Sequence, residues 1–492
     1  MNNLDKIDHI VVLMLENRSL DALLGYLYEG DAPAHLVGDF GDAPGFDGVA
    51  GKALSNPGPA GPVAVAKAPF ATQPDMCNPY PDPGEVLSPH VNTQLFGEDP
   101  PPDPSLPPPM NGFVRDYLDA IREQSLCDRV ITEDEYRIIM SCFTPPAVPV
   151  VSGLARAFAV SDRWFCSVPS QTFCNRSFFH SGQANGFVTN ADYVKWGRNV
   201  APTILEGLSR AGVAWRVYFD RADVFPLTRA IHPGLHACDF DDSFRDFAGF
   251  RADCEAGLLP AYTFIEPRLF VDHNDMHPPV IFNPLVGSSV LAGELLVNDV
   301  YEALKSNPRT WERTLFVITF DEHGGCYDHV PPPRAIPPGL PVRGAPDAPA
   351  GGPFGFDRFG VRVPAIFVSP LIDAGTVVRS PGAVPFDHTT MIRTICDKWG
   401  LSTLGARAAA APSLEPLLTR SAPRTDAPTF TPRPYTPTPP DLAKLLPLST
   451  HQQDWFGALA AALGSPISRE ARSVGQAVDH LTAALAARIK SA

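Results

Sequence analysis

The sequence predicts an α/β fold: three layers, with a central, mostly parallel sheet between helices and long Pro/Gly-rich insertions at the surface. Three observations carry that expectation. Ile10 to Leu15 and Leu315 to Phe320 are apolar or β-branched without alternation, as in strands covered on both faces of a sheet. Ser288 to Leu304 places Leu296, Val300 and Leu304 on one helical stripe and stops at Asn307-Pro308. A strand beginning at Thr314 follows at once, so with the strand before it this region reads strand, helix, strand, the unit of a parallel sheet.

Composition sets the outer bounds. The 492 residues are 44% hydrophobic, enough to bury a large core. The formal charge is −15 and no basic run is present, which argues against a nucleic-acid partner. Nine cysteines without C-x-x-C spacing argue against a disulfide framework and against a cysteine zinc site. The apolar run near the start covers six residues, Ile10 to Leu15, flanked by acids. That is too short for a signal peptide or a membrane span. The expectation is a cytoplasmic protein, or one exported by a route that leaves no such peptide.

In chain order, the first strand ends in Glu16-Asn17-Arg18-Ser19 before a helical-looking Leu20 to Leu24. A carboxylate and an amide at a strand's carboxyl end can share a metal or hold an oxyanion. The same residues also suit a helix N-cap. Gly38 to Pro109 is rich in Gly, Pro, Ala and Asp and reads as a long surface excursion. It carries two polar blocks, Asp82-Pro-Gly-Glu85 and His90 to Gly97. Glu133 to Ala159 reads as mainly helical, and Val160 to Phe165 returns toward the sheet.

Ser167, Ser170 and Thr172 precede a helix expected to begin near Asn175. A hydroxyl there faces free backbone N–H groups and the positive end of the helix dipole, a seat for phosphate. Metal contact would turn such a hydroxyl into a nucleophile, although a plain Ser/Thr cap fits the same pattern. Pro202 to Ala211 is an amphipathic helix, Val213 to Phe219 a strand, and Tyr262 to Ile265 a short strand ending at Glu266. Asp272 to Pro279 sets His273, His277 and two carboxylates in a proline-fixed loop.

The Leu315 to Phe320 run stops at Asp321-Glu322-His323, followed by Gly324-Gly325 and Tyr327-Asp328-His329. Open α/β sheets put ligands at such strand ends, and these acids and histidines are all metal-ligand types. Arg334 to Pro353 is a second Pro/Gly-rich loop, and Val363 to Val368 a strand. Phe386 to Thr390 caps a helix with Met391, Ile392, Ile395 and Trp399 on its buried face and Gly400 as its stop. His388 at that start is a metal or phosphate ligand or an ordinary capping neighbour. Prolines and threonines recur from Ala422 to Pro447. Val474, Val478, Leu481, Leu485 and Ile489 then mark one amphipathic helix expected to pack on the body.

These blocks together carry a resemblance. ENRSLD at Glu16, MNGFVRDY at Met110, SDRWFCSVPSQTFCNRSFFHSG from Ser161, NDMHPP at Asn274, FDEHGGCYDHVPPP at Phe320, then VPAIFVSP and FDHTT, stand in one order. The chain resembles the bacterial phosphoesterase family of acid phosphatases and non-haemolytic phospholipases C, within the alkaline-phosphatase-like superfamily. The similarity runs from about residue 7 to about residue 415.

The resemblance implies an alkaline-phosphatase-like fold and one divalent metal ion on Glu16, Asn17, Asp321 and Glu322. Mg, Mn, Ca, Fe and Zn all suit such a set. It implies Thr172 as nucleophile, with Asn17 in the catalytic set, and His277 as general acid. Arg176, His323 and His388 would bind substrate. Relatives carry D-P-x-H where this chain has Asp82-Pro-Gly-Glu85, so a glutamate stands in place of a histidine. The implied activity is hydrolysis of a phosphate ester or phospholipid through a phospho-threonine intermediate, with transient membrane-surface contact and no integral membrane segment. The expected organisation is a catalytic domain over 1–420, with 421–492 as a Pro/Thr-rich segment and terminal helix. Two other readings stand beside it. One is a sulfatase, for which Ser167-Val-Pro-Ser-Gln171 lacks the arginine. The other is a non-catalytic phosphate or headgroup binding module.

Overall fold

The computed structural model describes residues 2–68, 79–125, 129–191, 193–269, 272–279, 289–342, 346–348 and 352–445. In the tail it describes 448, 453, 456–457, 459–460, 463–465 and 473–491. Its centre is a nine-stranded sheet. In chain order the strands are β1 His9–Leu15, β2 His35–Val37, β3 Ala159–Ser161, β4 Trp215–Phe219, β5 Phe244–Asp246, β6 Tyr262–Ile265, β7 Thr314–Phe320, β8 Ala365–Val368 and β9 Thr376–Val378. Across the sheet the order is β5-β4-β6-β1-β7-β8-β3-β9-β2. β8 runs antiparallel to β7 and β3; all other pairs are parallel.

β1 and β7 lie side by side, in register from His9 against Thr314 to Leu15 against Phe320. From Ile10 to Leu15 and from Thr314 to Phe320 their side chains are buried, which is why both runs lack polar alternation. The helices used below are α1 Leu20–Leu24, α2 Asn92–Phe96, α3 Phe113–Glu123, α4 Pro149–Ala157, α5 Thr172–Ser181, α6 Ile204–Arg210, α7 Ser289–Lys305, α8 Thr389–Trp399 and α9 Val474–Ser491. α4 packs on β3, β8 and α7, while α5 packs with α6 and α8 in the other helix layer. Buried Glu294 of α7 accepts from the N–H groups of Val150 and Val151 at 2.7 and 2.8 Å. It thereby caps α4 and ties it to α7.

Several elements depart from expectation. Residues 133–159 hold two short helical turns, Glu133–Tyr136 and Arg137–Met140, before α4, because Pro145-Pro146 interrupt the helical pattern. The edge strands β2 and β5 and the neighbouring β9 span three residues each, too few for periodicity to register. The first Pro-rich insertion is more than surface: it holds the hairpin Ser55–Gly58/Gly61–Ala64 and α2, whose residues are all buried. In the tail, Leu459, Leu463 and Leu481 share one buried cluster with Phe173, Phe178 and Trp196. Val478 and Leu485 pack against the same cluster. The predicted positions Ser288 and Pro447 and the side chain of Ile489 lie outside the described residues. Among the described residues no helix is long and apolar enough to cross a membrane.

Candidate active site

The site grows from the carboxyl ends of β1 and β7. Register carries past the strands: the Asp321 N–H donates to the Leu15 carbonyl at 3.2 Å, which sets Glu16 beside Asp321. The chain then turns through Asn17 in the left-handed region, φ 60°, a conformation asparagine tolerates better than most residues. Gly324, at φ 62°, lies directly on that turn; a Cβ there would come within 2.4 Å of the Asn17 carbonyl oxygen. Only glycine permits that approach.

Glu16, Asn17, Asp321 and Glu322 have no exposed surface. Arg176 of α5 joins the two strand ends, donating from Nε to Asp321 Oδ2 at 3.0 Å and from Nη2 to Glu16 Oε1 at 3.1 Å. Its Nη2 also reaches the Met14 carbonyl, at 3.2 Å. Buried Glu85 receives the Asn17 Nδ2 hydrogen at 2.6 Å. Burial, followed by the charge of Asp321, pushes the Glu16 carboxyl well above its ordinary range. Burial and the charges of Glu85 and Asp321 do the same to Glu322. One guanidinium does not balance this many buried acids. Asn17 Oδ1 and Glu322 Oε1 are in addition buried acceptors without a hydrogen-bond partner. The set of hard oxygen donors on Glu16, Asn17, Asp321 and Glu322 fits a divalent cation.

α5 begins at Thr172, with Gln171 as N-cap, rather than near Asn175. The displacement has a cause. Asn175 sits inside the helix and turns its side chain back on the preceding loop. Its Oδ1 accepts from Val168 N at 2.9 Å, and its Nδ2 donates to Val168 O at 3.1 Å and Ser170 O at 2.7 Å. The three candidate hydroxyls then separate. Ser167 Oγ donates to Asp387 Oδ2 at 2.6 Å and Ser170 Oγ to the Val188 carbonyl. Thr172 Oγ1 is buried without a hydrogen-bond partner. Arg176, one turn along the same face, keeps Nη1 buried and likewise without a partner.

The three histidines occupy different stations. His277 donates from Nδ1 to the Pro278 carbonyl at 2.6 Å, with Glu85 Oε1 3.5 Å from Nε2 and Asp82 Oδ1 3.9 Å from Nδ1. Burial alone would depress this imidazole, but Asp82 and Glu85 outweigh it and hold the ring protonated well above its ordinary range. His323 Nε2 donates to Gln94 Oε1 at 2.7 Å, an orientation fixed because Gln94 Nε2 donates to Gly84 O and Asp116 Oδ2. Its Nδ1 is therefore an acceptor, facing Glu322 Oε2 at 3.2 Å, which calls for a proton or a cation between them. Burial pushes His323 down to about 4. His388 has both nitrogens engaged by protein: Nε2 donates to the Asp321 carbonyl at 2.6 Å, and Nδ1 accepts from Trp164 Nε1 at 3.3 Å. It is placed behind Asp321 and orients that residue's backbone. Asp328 and His329, from the same stretch, turn away into a separate buried network. There Arg362 sits 2.9 Å from both Asp21 and Asp328 and supplies the positive charge.

Gln94 and Trp164 act on the site without being singled out by sequence, and Asn175, singled out only as a helix start, acts on it too. Each works by orienting a neighbour. For Gln94 the available signal is the polar block His90 to Gly97 inside an otherwise Pro-rich excursion.

The profile of the Phosphoesterase family matches residues 7–402. The chain belongs to the Phosphoesterase family. Non-specific phospholipase C3 of Arabidopsis thaliana is 34% identical over 439 residues, 86% of this chain and 75% of the relative. Phospholipase C B of Mycobacterium tuberculosis (strain ATCC 25618 / H37Rv) is 26% identical over 428 residues, 81% of this chain and 74% of that one. Among solved structures, a protein in the alkaline phosphatase superfamily from Vibrio parahaemolyticus aligns at TM-score 0.33 and 11% identity, over 55% of this chain and 65% of that one. In this Phosphoesterase family member, Arg176 of α5 and, through Glu85, the His277 loop join the strand ends in one buried polar centre.

Proposed function

We propose that this protein is a metal-dependent phosphoesterase of the phospholipase C or acid phosphatase type, working through a phospho-threonine intermediate. Membership of the Phosphoesterase family makes it a hydrolase of phosphoric ester bonds. One observation carries the finer reading. Of the three hydroxyls before α5, two are tied to the protein and Thr172 Oγ1 is not. It lies at the first residue of a ten-residue helix, where backbone N–H groups and the dipole favour an anion.

Glu16, Asn17, Asp321 and Glu322 would hold the cation, which when bound neutralises phosphate charge and acidifies the nearby hydroxyl. Thr172 Oγ1 releases its proton to solvent and attacks phosphorus, forming the phospho-threonine as the bond to the substrate alkoxide breaks. Arg176 Nη1 is the donor left for a phosphoryl oxygen, while its other nitrogens keep Glu16 and Asp321 in place. His277, held as imidazolium by Asp82 and Glu85, gives its proton to the leaving oxygen. Water then attacks the phosphorus and passes a proton to the His277 imidazole left neutral by the first step; the P–Oγ1 bond breaks and Thr172 Oγ1 takes a proton back from solvent.

Relatives named phospholipase C favour a phospholipid among the phosphate esters. A lipid substrate requires contact with a membrane surface at each turnover. The test is hydrolysis of phosphatidylcholine, a soluble phosphodiester and a phosphomonoester by metal-loaded and chelated protein. Release from phosphatidylcholine that chelation abolishes is the expected result. No release from any of the three by metal-loaded protein overturns the proposal.

A further inference from the structure

A cavity of about 390 Å³ opens between the two Pro-rich insertions, lined by Pro100, Pro104 and Ser105 of the first and by Phe354, Asp357 and Arg358 around the second. Its unusual member is Arg358. The residue is 4% exposed and its Nε is buried without a hydrogen-bond partner. Its one side-chain hydrogen bond among the described residues runs from Nη2 to the neutral Asn92 Oδ1, at 3.2 Å. No carboxylate pairs with it among the described residues; the nearby Asp357 is taken by Arg334. The guanidinium rests over the Phe96 ring at 4.9 Å and the Phe354 ring at 5.9 Å. Those faces attract a cation but do not cancel its charge. Burying a charge without an opposite partner is costly, so an uncompensated guanidinium on the wall of a cavity is an anion receptor. A chain of formal charge −15 repels anions in general, which makes a local positive seat selective.

We infer that this cavity is a second ligand site, separate from the catalytic centre, that takes a phosphate-type oxyanion on the Arg358 guanidinium. The oxyanion is free phosphate or the headgroup of an anionic lipid. The seat borders the catalytic centre through α2: Asn92 and Phe96 face Arg358, while Gln94 holds His323. The inference stands on Arg358 and its surroundings and does not need the catalytic reading to hold.

The test is titration of the metal-loaded protein with inorganic phosphate by calorimetry, with phosphate inhibition of phosphomonoester hydrolysis followed in parallel. A second arm measures co-flotation with phosphatidylcholine vesicles with and without phosphatidylglycerol. Arg358→Met and Ser105→Glu are compared with wild type; the second sits on the exposed rim and adds a repelling charge without touching the core. The expected result is a phosphate site, or a phosphatidylglycerol-dependent flotation, weakened about tenfold to a hundredfold in both variants, with the inhibition constant at the catalytic centre unchanged. Phosphate binding identifies the soluble ligand, and flotation alone identifies the lipid headgroup. Equal phosphate binding and equal flotation in wild type and Ser105→Glu overturn the inference, whether or not Arg358→Met folds. Absent hydrolysis with the Arg358-dependent binding intact would overturn the catalytic reading and leave this one standing.

Discussion

At the residue scale, the proposed chemistry rests on one hydroxyl among three, that of Thr172. Thr172→Ala is expected to reduce turnover by about 10³-fold or more, and Thr172→Ser to keep much of it. Mass spectrometry of acid-quenched protein should find phosphate on Thr172; phosphate on Ser167 or Ser170 would move the nucleophile. A second residue-scale prediction concerns His277, which Asp82 and Glu85 hold protonated. A raised pKa keeps the acid form present to higher pH, so activity falls only on the alkaline side of that value. Glu85→Gln removes one of the two carboxylates and should shift the alkaline limb of the kcat/KM profile about one unit toward neutrality. An unmoved limb would show that Glu85 does not set the proton donor. The pairing of Glu16 with Asp321 is legible in sequence because each acid directly follows an uninterrupted apolar run. The bridging by Arg176 is not, because it depends on how α5 lies against the sheet. His388 is read as a ligand for the same reason: sequence marks its chemistry but not that Trp164 and the Asp321 carbonyl take both nitrogens.

Elements decide how closely those residues meet. The loop after β7 can lie on the Asn17 turn only because Gly324 has no side chain. Gly324→Ala adds a Cβ 2.4 Å from the Asn17 carbonyl at a backbone φ of 62°. It should cost about 1–3 kcal/mol in urea denaturation and weaken cation binding. Gly382→Ala, where a Cβ meets nothing within 4 Å, is the control expected to change little. Strands β1, β6 and β7 are legible because burial on both faces leaves a strong apolar signature. The three-residue strands β2, β5 and β9 are not, since pairing with a neighbour creates them. The start of α5 is legible only to within a turn, because Asn175 and Thr172 are both credible first residues until the back-turned amide is seen.

For the whole molecule, the acids gathered under Arg176 would link stability to the proposed cation. Chelation is expected to lower the melting temperature as well as abolish hydrolysis, and readdition of a divalent metal to restore both. Loss of activity without any change in melting temperature would separate the cation from the fold. Acid provides an independent probe. His232 is fully buried with neither ring nitrogen hydrogen-bonded, and burial pushes it down to about 3. Folded protein keeps this ring neutral while the unfolded chain takes up a proton near pH 6.5. The stability is therefore present above that value and is lost, by about 1.4 kcal/mol per unit, as pH falls toward 3. His232→Phe should flatten that acid slope in urea titrations between pH 6 and about 4.

The pairing of β1 with β7 has a consequence for synthesis. Leu15 and Phe320 are neighbours in space but about 300 residues apart along the chain. On a ribosome working at about 5–20 residues per second, β1 waits on the order of 15–60 seconds for the partner that completes its central position. During that time a seven-residue, almost wholly apolar strand has an unfilled edge, the kind of surface that other nascent chains capture. β6, which emerges earlier, covers its opposite side first, so the parallel pair β1–β6 is the natural provisional shelter. The two halves of the proposed cation pocket therefore meet only once β7 has emerged, and a chain released before Asp321 would carry half a pocket and an open sheet.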